Sequence, residues 1–151
     1  MTFHERIADD MKTAMRAKDA VTLSVLRGLK SSLMYAAIEK DGPGGELDDA
    51  ECVVVLRKEI KKRHDSVTSY AAAKRQDLAD AELAELAVLE RYLPAGLSAA
   101  EIATLVDAVI AETGATSKKD MGRVMKLLGE RAAGRVDGGT LSKEVARLLG
   151  P

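Results

Sequence analysis

The chain is short of aromatic residues, with one phenylalanine, three tyrosines and no tryptophan in 151 residues. Proteins that read single-stranded RNA stack its unpaired bases on aromatic rings, so a composition this poor excludes a stacking platform. Cysteine is scarcer still: Cys52 stands alone, which excludes an internal disulfide and a cysteine-based zinc site. Neither charge sign dominates. The 23 basic residues against 24 acidic ones leave a net charge of −1, so no global field recruits nucleic acid. No run approaches the ~20 consecutive apolar residues of a membrane span. The N-terminal MTFHERIADDMK also lacks the apolar run of a signal peptide. These absences lead to the expectation of a soluble cytoplasmic protein with no membrane attachment. Strand signals are nearly missing too. Only Cys52–Leu56 is rich in β-branched residues, and a helical period runs straight through it.

What is present is helical periodicity. Thr2 and Glu5 have capping-box spacing, and Phe3, Ile7, Met11 and Met15 recur every four residues to about Lys18. Asp19 can cap a second helix with a wide apolar arc from Val21 to Ala37, ended by the Gly- and Pro-rich run 41–45. Asp48 or Asp49 can cap a long third helix reaching roughly Lys74, with the basic run 57–63 in its middle. After a break at 75–77, another helix to Tyr92 points Leu83, Leu86, Leu89 and Leu93 inward. Pro94 and Gly96 stop it and place a domain boundary there. Ser98 and Glu101 form a second capping box, and Gly114 sits where a helix-ending glycine belongs. The expected fold is all-α, with an N-terminal helical domain over 1–95 and a small three-helix domain over 96–151.

The charge is unevenly spread over the C-terminal part. Residues 98–114 carry three acids and no base, whereas 115–151 carry eight bases against four acids. Met121, Val124, Met125 and Leu128 repeat at i, i+3, i+4, i+7, the spacing of one buried face. Lys119, Arg123 and Lys126 fall on the opposite side. A following loop carries Arg131 and Arg135, ends in Asp137-Gly138-Gly139, and precedes a last helix capped by Thr140. Such a stripe can track phosphates, or it can be a solvated helix face.

Four stretches in order resemble the GatB/YqeY family: IADDMKTAMRAKDAVTLSVLRGLKSSL, VLRKEIKKRHDSV with RQDLADAELAELAVLERYLP, TGATSKKDMGRVM, and GRVDGG with its leucine-rich closing helix. The chain departs from the pattern at Lys74, where a glycine is expected, and at Gly139-Thr140, where a lysine-containing run is usual. The family shares its name with the tail domain of the B subunit of tRNA-dependent amidotransferases, which convert Glu-tRNA(Gln) or Asp-tRNA(Asn) to the amide form. The resemblance implies an accessory role that touches tRNA, or a complex of tRNA with an aminoacyl-tRNA synthetase or amidotransferase. Lys119, Arg123, Lys126, Arg131 and Arg135 are the candidate RNA-binding residues. The alternatives are a protein-docking module that makes no RNA contact, using the basic helix 54–71, and glutamine-dependent carbon–nitrogen ligase activity, which only the family name carries.

Nothing in the residues reads as a catalytic, cofactor or metal site. There is no GxxxxGK[ST] or GxGxxG loop. His4 and His64 lie on different predicted helices without a cysteine or serine constellation, and Glu82, Glu85 and Glu90 read as an acidic helix face.

Overall fold

The computed structural model describes residues 1–150 and is all-α, as the periodicity predicts. Its helices are α1 (Phe3–Ala17), α2 (Ala20–Asp41), α3 (Asp49–Ala72), α4 (Gln76–Glu90), α5 (Ala99–Thr113), α6 (Met121–Ala132) and α7 (Gly138–Leu149). A 3₁₀ turn, Lys118–Asp120, leads into α6. The chain divides into two compact units, Met1–Leu93 and the part from Pro94 onward. Among the described residues no helix is long and apolar enough to cross a membrane.

In the first unit, α1 to α4 enclose a core of Phe3, Ile7, Leu26, Leu29, Leu33, Leu56 and Leu89 with smaller neighbours. Burying each leucine contributes about 1.5–3 kcal/mol. The capping box at Thr2 forms, with the hydroxyl accepting from the Glu5 N–H and the Glu5 carboxylate from the Thr2 N–H. Asp19 caps α2, and of the two candidates for α3 it is Asp48 that caps, in a box with Glu51. On α1 the expected face is corrected at its end: Ala14 is buried and Met15 is exposed. A strict four-residue repeat drifts by roughly 40° per step around a helix of 3.6 residues per turn, so Met15 has left the face that Ala14 keeps. Leu83 likewise lies outward on α4, where Ala79 and Leu86 take the inner positions.

A short connection folds α4 back along α3 as an antiparallel hairpin. Arg63 ties the two helices, reaching Glu82 at 3.3 Å and pairing also with Glu85, all three side chains being largely covered. The connection closes through Lys74 at φ +59, with the Arg75 N–H donating to the Tyr70 carbonyl at 2.9 Å.

In the second unit, α5, α6 and α7 surround Val106, Val109, Val124, Leu128, Leu141 and Val145. Ser98 and Glu101 form the expected capping box, and Gly114 ends α5 at φ +66. Two expectations change. Arg131 lies in the last turn of α6 rather than in a loop, because the helix runs through Gly129 to Ala132. The cap of α7 is Asp137 rather than Thr140. Its carboxylate accepts from the Thr140 N–H at 2.6 Å and the Thr140 hydroxyl at 2.9 Å, so Gly138 and Gly139 form the first turn.

Candidate nucleic-acid interface

The helix α6 positions the candidate residues through its buried face. Val124 and Leu128 are fully buried, and Met121 and Met125 pack against them, which turns the opposite side to solvent. At 100° per residue Lys126 stands opposite that core face, with Arg123 and Glu130 on its shoulder. Lys119 is exposed on the 3₁₀ turn, one step before the helix.

The five bases are not equivalent. Arg123 donates to Asp120 at 2.9 Å. The Asp120 carboxyl lies below its ordinary pKa, chiefly because it accepts the Thr116 N–H, with the Ser117 N–H and Arg123 adding. Arg131 sits on the flank of α6 and pairs with Glu112 of α5. Arg135 donates from Nε to the Ala95 carbonyl at 2.9 Å, while its own carbonyl accepts the Leu97 N–H at 3.1 Å. It therefore straps the segment 95–97 to the α6–α7 junction, and among the described residues its terminal guanidinium nitrogens make no hydrogen bond. Among the described residues, Lys119 and Lys126 form no ion pair within this unit.

The two stretches that carry the resemblance here are largely accounted for by folding. In GRVDGG, Gly134 takes φ +77 after Ala133 at φ +48, reversing the chain after α6. Val136 packs on the core and Asp137 caps α7. In TGATSKKDM, Gly114 closes α5, Ala115 is buried and Asp120 gathers the loop N–H groups. The residues of these stretches left without a folding task are Lys118, Lys119 and Gly122, and on the same helix Lys126 and Gly129 have none either. Gly122 and Gly129 are on the outer side of α6, and a side chain added at either would meet open space.

The basic run of α3 is mostly balanced within its own unit. Lys61 pairs with Asp65, Lys62 with Glu59 and Arg63 with two glutamates, while Arg57 is also engaged. The structure also brings together a pair that sequence spacing did not show. The Cys52 Sγ lies 3.5 Å from His4 Nε2, and that nitrogen is 3.3 Å from the Leu47 carbonyl oxygen. A Cys–His contact can generate a thiolate nucleophile only where the thiol pKa falls. Here burial pushes it up to about 11, with Asp49, Asp48 and Glu51 adding in the same direction. The pair ties the start of α1 to α3 and is not poised for attack. Its partners are 48 residues apart, a separation no local pattern signals.

The arrangement so far defines a small all-helical protein of two units, one with a core of large side chains and one with a core mainly of valine and alanine. The family model described as Yqey-like protein matches residues 4–149, and the chain belongs to that family. It is similar to "Altered inheritance of mitochondria protein 41, mitochondrial" of Pyrenophora tritici-repentis, with 32% identity over 96% of this chain and 80% of the relative. The proteins of the same name from Kluyveromyces lactis and Meyerozyma guilliermondii are 34% and 36% identical over 57% and 56% of this chain. In those two the match spans only 45% and 42% of the relative's length. The cytoplasmic expectation is thereby corrected: the relatives it resembles are named as mitochondrial proteins. The missing apolar run bore only on secretion, and composition does not separate one aqueous compartment from another.

Proposed function

We propose that this Yqey-like protein is an accessory factor that binds tRNA, free or held by a synthetase or amidotransferase, through the outer side of α6. The observation that carries this reading is the pair Lys119, exposed on the 3₁₀ turn before α6, and Lys126, exposed on the side of α6 away from the core, neither in an ion pair among the described residues. Arg135 offers its terminal nitrogens, and Arg123 and Arg131 exchange Asp120 and Glu112 for phosphate as RNA approaches. The dearth of aromatic rings favours recognition of folded RNA by shape and phosphate position over reading of bases.

The test is binding of the full chain to deacylated tRNA at two salt concentrations. Counting only the three bases with no acid partner, Lys119, Lys126 and Arg135, three neutralised phosphates make affinity fall roughly fortyfold between about 50 and about 200 mM salt. Replacing Lys119 and Lys126 by Glu lowers affinity and flattens that salt dependence while circular dichroism is unchanged. Full affinity in the double variant defeats the reading. Arg123 is a poorer probe, because a carboxylate there faces Asp120 and disturbs the turn it caps.

A second reading has its own observation: Val54 and Lys58, one helical turn apart, are exposed on α3. They suit docking on a protein partner without RNA contact. Association with an amidotransferase or synthetase that survives nuclease and is lost in Val54→Asp would favour it.

A further inference from the structure

A pocket of about 290 Å³ opens in the first unit, where α1, the start of α2 and the end of α4 meet. Its floor is apolar, formed by the buried Ala14 and Val88. Its walls are charged, with Arg6 and Asp10 from α1, Asp19 capping α2, and Arg91 following α4. Two bases and two acids in so small a space would ordinarily pair with one another. Among the described residues neither arginine forms an ion pair.

The carboxylates are engaged by uncharged donors instead. Asp10 accepts the Tyr92 hydroxyl, and Asp19 accepts the Thr22 N–H at 3.1 Å and its hydroxyl at 2.7 Å. Arg6 is held in place without being neutralised: its Nη2 donates to the Arg91 carbonyl at 2.7 Å, and its guanidinium carbon lies 4.5 Å from the Tyr92 ring centre. A guanidinium has five N–H donors, so most of those on Arg6 remain unspent. The Arg91 guanidinium makes no hydrogen bond among the described residues, although its charge is felt at Asp19.

We propose that this pocket binds a small zwitterion, a free α-amino acid, with its carboxylate on Arg91 and Arg6 and its ammonium on Asp10. Planar guanidinium groups match a carboxylate with paired hydrogen bonds. An ionised carboxylate has about four acceptor positions, and Tyr92 uses one at Asp10, leaving room for an ammonium donor. The four charges cancel, which disfavours polyanions such as nucleotides. The volume is at the lower edge of ligand pockets, which suits a metabolite rather than a peptide or large cofactor.

The proposal uses only the first unit and stands or falls apart from the tRNA reading. It is tested by ¹H–¹⁵N spectra of the full chain titrated to about 10 mM with L-glutamate, L-glutamine, L-lysine and free glycine, a range that saturates a millimolar site. Acetate and inorganic phosphate serve as controls. Saturable shifts over residues 6–22 and 88–92 with at least one amino acid, and none with acetate or phosphate, are expected. Arg91→Gln, at an exposed side chain, weakens that binding at least about tenfold with helicity unchanged. Arg6→Lys, which keeps the charge and loses the fork, also weakens it. No shifts with any amino acid, equal shifts with acetate or phosphate, or full affinity in Arg91→Gln would overturn it.

Discussion

At the ends of α1 and α3 the chain closes through Lys18 and Lys74 in the left-handed conformation, whereas at the end of α5 the same closure passes through Gly114. Left-handed backbone costs an L side chain roughly 1–2 kcal/mol, and glycine nothing. The unit that carries the lysines is also the one filled with large side chains, from Phe3 and Ile7 to Leu89. The second unit is filled mainly by valine and alanine, and α6 is followed by Ala133 and Gly134, with only Ala133 strained. At these closures the unit with the larger core side chains carries two strained residues, Lys18 and Lys74, and the other carries one, Ala133. The two units thus spend their stability differently.

The comparison is broken most forcefully through the cores. Leu128→Ala costs about 2–5 kcal/mol. A unit of this size holds only about 3–8 kcal/mol on the per-residue scale of globular proteins, so α5 to α7 lose most of their cooperative unfolding in urea. Leu26→Ala costs a similar amount and leaves the first unit folded. Equal loss of structure in both variants would remove the distinction. Next comes Arg63→Ala, which leaves Glu82 and Glu85 facing each other in a largely covered site and costs about 1–2 kcal/mol in the same denaturation experiment.

The helix closures sharpen the comparison further. Gly114→Ala destabilises by about 1 kcal/mol, because alanine must then hold φ +66. Lys74→Gly stabilises by a few tenths to about 1 kcal/mol, the relief of φ +59 being partly offset by the greater freedom of glycine in the unfolded chain. Thermal midpoints that move the same way in both variants would contradict the strain argument. The smallest effect is on pH. Glu5, Asp19, Glu51 and Asp120 all lie below their ordinary values, held there chiefly by Thr2, Thr22, Lys40 and the Thr116 N–H respectively. The unfolded chain therefore binds these protons first. Stability is level above about pH 5 and declines as pH falls through about 4 and below, which thermal scans across that range record.

The features legible in the sequence were those whose partners lie within one helical turn. The capping boxes at Thr2 and Ser98 and the closure at Gly114 follow from residues three to six positions apart. Inner faces are legible where both repeat lengths, three and four, are present, as at Val124 and Leu128. A single repeat length followed too far leaves the buried face, as at Met15. Asp137 reads as a loop residue because Gly138 and Gly139 resemble loop sequence, yet its N-cap carboxylate starts the helix on them. The Cys52–His4 contact, the Tyr92–Asp10 bond and the hold of Arg6 on the Arg91 carbonyl join residues 48, 82 and 85 positions apart. Such contacts are set by how helices pack, which no local periodicity encodes. The candidate basic residues were visible individually, but their partners at Asp120, Glu112 and Ala95 were not.

The two outward glycines of α6 have a consequence for native-state motion. Each costs roughly 1 kcal/mol of helix propensity relative to alanine, and neither recovers it through packing. Twelve residues with that composition do not hold their hydrogen bonds as an isolated segment. Continued helix therefore depends on Val124 and Leu128 remaining seated. When they lift, α6 opens as a local unfolding unit, and its amide protons exchange with deuterated solvent ahead of those in α5 and α7.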